Sequence, residues 1–157
     1  MAAMSRRKGA CGELEVCRLI RDLLGVDARR RVRQHDNDSD VLGVDGWTIE
    51  VKNASEIRLR EWWQQAVDQC IGGDRPAVFY KVPRRGWRVL WPIAALLRVP
   101  GSDTWTGIEW ACDTTPEAWA AVVRELIDEE EAIRVGPSEL SRFYPPVPVP
   151  ANGMGDA

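Results

Sequence analysis

Asp40, Glu50 and Lys52 are the residues whose types and spacing could do chemistry in this chain. They sit in D-V-L-G-V-D-G-W-T-I-E-V-K, Asp40 through Lys52, which otherwise reads as a buried β-hairpin turning near Asp45-Gly46. Strand alternation puts Trp47, Ile49 and Val51 on one face and Thr48, Glu50 and Lys52 on the other. Register then decides whether Asp40 joins Glu50. A two-residue loop, Asp45-Gly46, would set Asp40 opposite Val51 and point it into the core face. A three-residue loop, Val44-Asp45-Gly46, with Gly46 in the left-handed position of a G1 bulge, pairs Asp40 with Glu50 and turns Val41 inward beside Ile49. The second register avoids burying a lone carboxylate and is the one expected.

That pairing has an electrostatic consequence. Two carboxylates ~4 Å apart repel by roughly 4 kcal/mol at an effective dielectric of ~20. Glu13 adds a third acid: it lies on the apolar face of the preceding helix, one turn before Val16 and Cys17, and must find a polar partner or an ion there. Glu15 points the opposite way, to solvent. Lys52 offsets part of the repulsion and a divalent cation offsets more. Oxygen-only ligands with water left in the shell suit Mg²⁺ or Mn²⁺. Taken alone, E-V-K is more often a surface ion-pair ladder. The combination of Glu13, Asp40 and E-V-K is the more specific signal.

These residues need elements to position them. Residues 5–24 read as an amphipathic helix with Val16, Cys17, Ile20 and Leu24 on one face and Gly25 as the stop. Val26 to Gln34 reads as a strand poor in apolar residues, and His35 to Asp40 as a polar loop. After the hairpin, Ile57 to Ile71 reads as a second helix with Leu59, Trp63, Ala66, Val67 and Cys70 on its stripe. Ala77–Val82 and Trp87–Trp91 read as strands joined through P-R-R-G. Thr115 before Pro116 is an N-cap signal for a last helix to about Glu131. The order predicts an α/β sandwich with a mixed central β-sheet flanked by helices. Residues 1–100 are expected to form the core domain, 101–144 a C-terminal extension packed on it, and 145–157, rich in Pro, a disordered tail.

The 157 residues suit one domain. No apolar run reaches the ~18 residues of a membrane span. The first residues, M-A-A-M-S-R-R-K-G-A, lack the apolar segment of a signal peptide. Cys11, Cys17, Cys70 and Cys112 show no paired spacing, so reduced thiols and a cytoplasmic location are expected. His35 is the only histidine, which leaves no histidine-based zinc site or nucleophile pair. The net charge of −3 hides an asymmetry: residues 1–35 carry nine basic residues against four acids, and residues 101–157 three against eleven. A basic N-terminal third suits a polyanion, although a solvated face would have the same composition.

The chain at this point resembles the PD-(D/E)XK nuclease superfamily, and within it the archaeal-type and phage-encoded Holliday junction resolvases. R-R-K-G-A-C-G-E-L-E looks like their opening helix, where a K-G step precedes a metal-associated Glu, here Glu13. S-D-V-L-G-V-D-G-W-T-I-E-V-K looks like their core motif, with Ser39 where the motif has Pro. The resemblance covers residues 5–92. It implies a restriction-endonuclease-like core in the order αβββαβ with a C-terminal helical extension. It implies Asp40, Glu50, Lys52 and Glu13 as catalytic residues, and one or two Mg²⁺ or Mn²⁺ ions held by Asp40, Glu50, the Val51 carbonyl and Glu13. Lys52 would orient the attacking water or stabilise developing charge. Arg6, Arg7, Lys8, Arg29, Arg30, Arg31 and Arg33 would grip phosphates. The implied activity is metal-dependent resolution of four-way DNA junctions by paired cuts in a bacterial or phage-infected cell. A C2 homodimer follows from the paired cuts, with Trp62-Trp63 either its apolar patch or core packing. The superfamily sometimes adds a Gln on the helix after the motif, here Gln64 or Gln65. The resolvases also use a loop serine, but Ser39 stands too close to Asp40 for that role.

Three other readings compete. One is a different endonuclease of this superfamily acting on duplex or branched DNA. Another is a catalytically silent DNA-binding module on the same fold. The third is a calcium site at D-N-D-S-D, which fails the EF-hand pattern because Val41 stands at the required Gly and Trp47 at the bidentate Glu.

Overall fold

The computed structural model describes residues 2–32, 39–97 and 101–135, with side chains of 2–7, 103, 132, 134 and 135 outside the description. The expected tail, the single histidine and most of the D-N-D-S-D segment therefore lie outside the described residues. The chain divides into two compact units, Met1–Arg124 and Glu125–Ala157. The first contains the whole sheet. The second, where described, is the continuation of the last helix.

Among the described residues the fold is α/β: three helices and a six-stranded mixed sheet. Helix α1 is Ala2–Leu24, followed by strands β1 (Arg29–Arg30), β2 (Val41–Leu42) and β3 (Trp47–Lys52). Helix α2 (Leu59–Gln69) leads to β4 (Arg75–Val82) and β5 (Gly86–Pro92). Three short 3-10 turns precede β6 (Ala111–Thr114), and α3 runs over Pro116–Val135. Strands are arranged in chain order, β1 to β6. Only β3 and β4 run parallel, with α2 as their crossover.

The parallel pair explains a difference from the sequence expectation. Alternation on β3 suggested one apolar and one polar face. In the structure both are covered, as is usual where a helical crossover lies on a parallel pair. One face carries Ile49, Val51, Phe79 and Val89, buried with Val16 and Ile20 of α1 and Trp119 of α3. Trp119 makes edge-on ring contacts with Trp47 and Phe79, with centroids 5.5 and 5.0 Å away. The other face carries Val78, Tyr80 and Leu90 beneath Trp63 and Ala66 of α2. Thr48 and Glu50 lie on this second face and are buried with it.

Helix α1 stops where Gly25, at φ +70°, donates its N–H to the Arg21 carbonyl. Its packing requires a close approach at Gly12, where a Cβ would lie 3.0 Å from the Asn53 Cβ. Glu15 is not simply solvated: it accepts bonds from Lys81 Nζ at 2.6 Å and Trp87 Nε1 at 3.1 Å, tying α1 to β4 and β5. Strand β1 is two exposed residues rather than the long strand expected, because the Arg-rich segment has no alternating apolar set to bury. Thr115 caps α3, its Oγ1 accepting from Ala118 N at 3.3 Å.

Strand β6 was not expected. Its four residues, A-C-D-T, carry no alternating pattern; its main chain pairs antiparallel with β5, and side chains of β4 and β5 fasten it. Tyr80 Oη donates to Asp113 Oδ2 at 2.8 Å, Arg88 Nε to Asp113 Oδ1 at 3.0 Å, and Trp91 Nε1 to Thr114 Oγ1 at 2.8 Å. Burial and the Asp113 carboxylate push the Tyr80 phenol from its ordinary value of 10.0 up to about 12. A phenol pKa raised in the folded state favours the neutral form there. Its stabilisation is therefore complete below pH 10 and lost as pH rises toward 12. Thermal melts between pH 9 and 12 should show Tyr80→Phe losing less stability over that window than the wild type; equal losses would contradict the assignment.

The β2–β3 hairpin places the candidate chemistry. Val41 pairs with Ile49, the register of a three-residue loop, and Gly46 has φ +74°. Gly43 is the tighter constraint: at φ +95°, an added Cβ would lie 2.4 Å from the Asp27 carbonyl oxygen. Gly43→Ala should therefore destabilise by about 2–3 kcal/mol, measurable by denaturant titration.

Candidate active site

Asp40 lies just before β2, where the ladder kinks. Strict continuation of the Val41–Ile49 register would set it against Glu50. Its N–H instead donates to the Ile49 carbonyl at 2.9 Å, and its carbonyl accepts from Arg31 N at 2.9 Å. The Asp40 Oδ2 then accepts the Val51 N–H at 2.8 Å, where a regular ladder would use a main-chain carbonyl. Such a local irregularity is the work of a β-bulge, which re-aims one side chain. The Asp40 carboxylate thus stands on the peptide between Glu50 and Val51. Asp40 is 1 % exposed and Glu50 0 %.

Glu50 faces α2. Its Oε2 accepts from Lys52 Nζ at 2.9 Å and from Gln65 Nε2 at 3.3 Å, and Lys52 Nζ also donates to Gln65 Oε1 at 2.8 Å. The three side chains close a triangle in which Gln65 fixes the lysine and the glutamate together. Sequence left Gln64 and Gln65 as equals. Gln64 bonds Asp68 on the exposed side of the helix, at 2.8 Å, so Gln65 is the one that belongs to the site. The Lys52 side chain, 17 % exposed, is the outward member of the cluster. It opens into a cavity of about 440 Å³ lined also by Ser55, Arg58, Glu61, Trp62 and Gln65.

The other expected residues are distributed less simply. Glu13 forms an ion pair with Arg30 of β1, so the partner its position demanded is supplied by one of the arginines assigned to DNA. Among the described residues no three His, Cys, Asp or Glu side chains gather into a metal cage. The donor types still suit a hard divalent ion: the Asp40 carboxylate bonds the N–H of Val51, the residue after Glu50, and Mg²⁺ commonly takes one or two carboxylates and keeps its waters. Lys8, in the second turn of α1, is exposed, and its carbonyl accepts from Asn53 Nδ2 at 3.3 Å. Arg29 is exposed and paired with Asp27 at 3.1 Å, while Arg31 is half-buried. The side chains of Arg6 and Arg7, and all of Arg33, lie outside the described residues.

Trp62 and Trp63 separate. Trp63 is 1 % exposed and donates Nε1–H to the Thr106 carbonyl at 2.7 Å, which makes it core and rules it out as an exposed patch. Trp62 is half-buried beside Tyr80, with ring centroids 6.3 Å apart, and lines the Lys52 cavity. No described helix is long and apolar enough to cross a membrane. No family model matches this chain, and neither does any curated protein sequence.

Proposed function

We propose that this chain is a metal-dependent DNA endonuclease with a restriction-endonuclease-like core, acting on four-way junctions. The observation that carries the reading is that two buried acids converge on the end of β3, Asp40 by bonding the Val51 N–H and Glu50 from the residue before it, with Lys52 bonded to Glu50 and lining a cavity. The element order α1-β1-β2-β3-α2-β4 supports it, since this is the order that the resemblance implies.

Asp40, Glu50 and the Val51 carbonyl would hold Mg²⁺ or Mn²⁺, with Glu13 reaching it through water once released from Arg30. The ion, when bound, supplies a water of lowered pKa and charge neutralisation at the scissile phosphate. Lys52 uses two of its three donors on Glu50 and Gln65, and the third is available for a phosphate oxygen or the attacking water. Gln65 holds that ammonium in place, which is the preorganisation that electrostatic stabilisation requires. Arg29 and Lys8, both exposed, and the half-buried Arg31 would contact flanking phosphates, giving salt-sensitive binding through contacts that carry no base readout of their own. Two symmetric cuts call for a homodimer.

One observation favours a second reading. Glu50, Lys52 and Gln65 bond to one another, and Glu13 to Arg30, so the cluster is also stable as a structural network. A DNA-binding module without catalysis would look the same. Labelled four-way junctions, flaps, duplex and single strands, incubated with and without Mg²⁺, separate the cases. Paired symmetric nicks on the junction alone are expected. Equal cutting of linear duplex would assign a different endonuclease, and binding without any cutting would assign the silent module.

A further inference from the structure

We infer that a second cavity, at the turn end of β3, accepts an unpaired nucleobase of the DNA and reads it through Gln69. This inference rests on the proposed action on DNA. Gln69 is the last residue of α2 and only 7 % exposed, yet among the described residues neither its Nε2 nor its Oε1 has a hydrogen-bond partner. A buried primary amide left in that state is uncommon and costly, so it calls for a purpose. Gln69 lines a cavity of about 320 Å³ together with Arg31, Ser39, Asp45, Thr48 and Asp74.

The position is informative. Gln65 and Gln69 are four residues apart on α2 and so share a face, one helical turn or ~5.4 Å apart. Gln65 bonds Glu50, and Gln69 lines a cavity with Thr48, two residues earlier on the same face of β3. The cavity is therefore the next station along strand and helix from the candidate catalytic cluster. A DNA strand with its phosphate at Lys52 would bring a neighbouring nucleotide to it.

The lining selects the ligand class. The Gln69 carboxamide is buried beneath the lining and, once turned into the cavity, would offer donors and an acceptor in one plane, while Asp45 and Asp74 offer acceptors and Arg31 donors. Asp74 already takes the Thr48 hydroxyl at 3.3 Å. A phosphate would meet two carboxylates against the single guanidinium of Arg31, and an apolar ligand would leave the amide unmet. A nucleobase edge presents donors and acceptors in the same plane, and glutamine reads such an edge in a bidentate manner. The volume is at the lower end for ligand pockets, enough for one base and not for a pair. Bases at a branch point are the ones most easily taken out of the stack.

The full chain is titrated, in chelator, against four-way junctions carrying 2-aminopurine at single positions around the branch, and cleavage in Mg²⁺ is compared across the four bases at the responding position. Wild type should brighten one position as it unstacks and should discriminate among bases there by roughly five- to 150-fold. Gln69→Leu and Gln69→Met, which exchange the buried amide for apolar groups of similar size, should lose both effects. Retention of both by either variant, or their absence in a wild type that binds and cuts, overturns the inference alone. Brightening that depends on Gln69 without cleavage supports the pocket and sinks the endonuclease reading. Failure to bind any DNA overturns both.

Discussion

Asp40→Asn should lower junction cleavage by about a thousandfold or more while leaving junction binding within a few-fold of wild type. The two effects separate because the carboxylate has two jobs. One is structural: its Oδ2 accepts the Val51 N–H at 2.8 Å, and an amide oxygen in the same place can accept it equally well. The other needs the charge, since a neutral amide is a poor partner for a hard divalent cation. The fold should therefore survive with the hairpin kink intact, and only the charge-dependent chemistry should go. Measuring single-turnover cleavage beside binding by gel shift, over a range of Mn²⁺ concentrations, tests this. An active Asp40→Asn protein would remove Asp40 from the site. Loss of folding would show that the kink, and not the charge, is what this residue supplies.

Lys52→Ala should abolish cleavage and also destabilise the protein by about 3 kcal/mol, the lower part of the range for breaking a buried pair. Glu50 is 0 % exposed and accepts from Lys52 at 2.9 Å, so the truncation leaves a buried carboxylate without its neighbouring ammonium. The lower part applies because the Lys52 side chain is itself 17 % exposed and water can enter where it was. The double variant Lys52→Ala/Glu50→Gln should regain most of that stability, because the uncharged amide introduced on β3 can still bond Gln65, and should remain inactive. Denaturant titrations of the wild type, the two single variants and the double variant give the coupling energy, and cleavage assays give the activity. A Lys52→Ala protein as stable as wild type would mean that Glu50 is not held by this pair. Renewed cleavage in the double variant would remove both residues from the catalytic set.

Much of this arrangement was legible because the periodicities were strong. The stripe of Val16, Cys17 and Ile20 announced α1, the alternation from Trp47 to Lys52 announced β3, and both glycine-closed turns fell where left-handed backbone is required. The Val41–Ile49 register was legible from turn chemistry, but the expected direct pairing of Asp40 with Glu50 was not, because the ladder kinks at Asp40 and buries its carboxylate on the Val51 N–H. Strand β6 was not legible, because Tyr80, Arg88 and Trp91 hold it through side chains that are distant in sequence. The Arg-rich segment looked longer as a strand than it is, since arginines on an edge need no pairing partner to be solvated.

By itself, then, the sequence determined the elements and the local identities of the site: an acid before β2, acid–apolar–base ending β3, and a hairpin that brings them near each other. Its information is one-dimensional and reaches only as far as turn chemistry and periodicity do. Tertiary structure alone decided which residues those groups meet. It buried Glu50 under α2, selected Gln65 over Gln64, gave Glu13 to Arg30, and sent Trp63 inward while leaving Trp62 to line the Lys52 cavity. Each of those outcomes depends on the angle at which a helix lies across the sheet, and that angle is set by packing summed over the whole core.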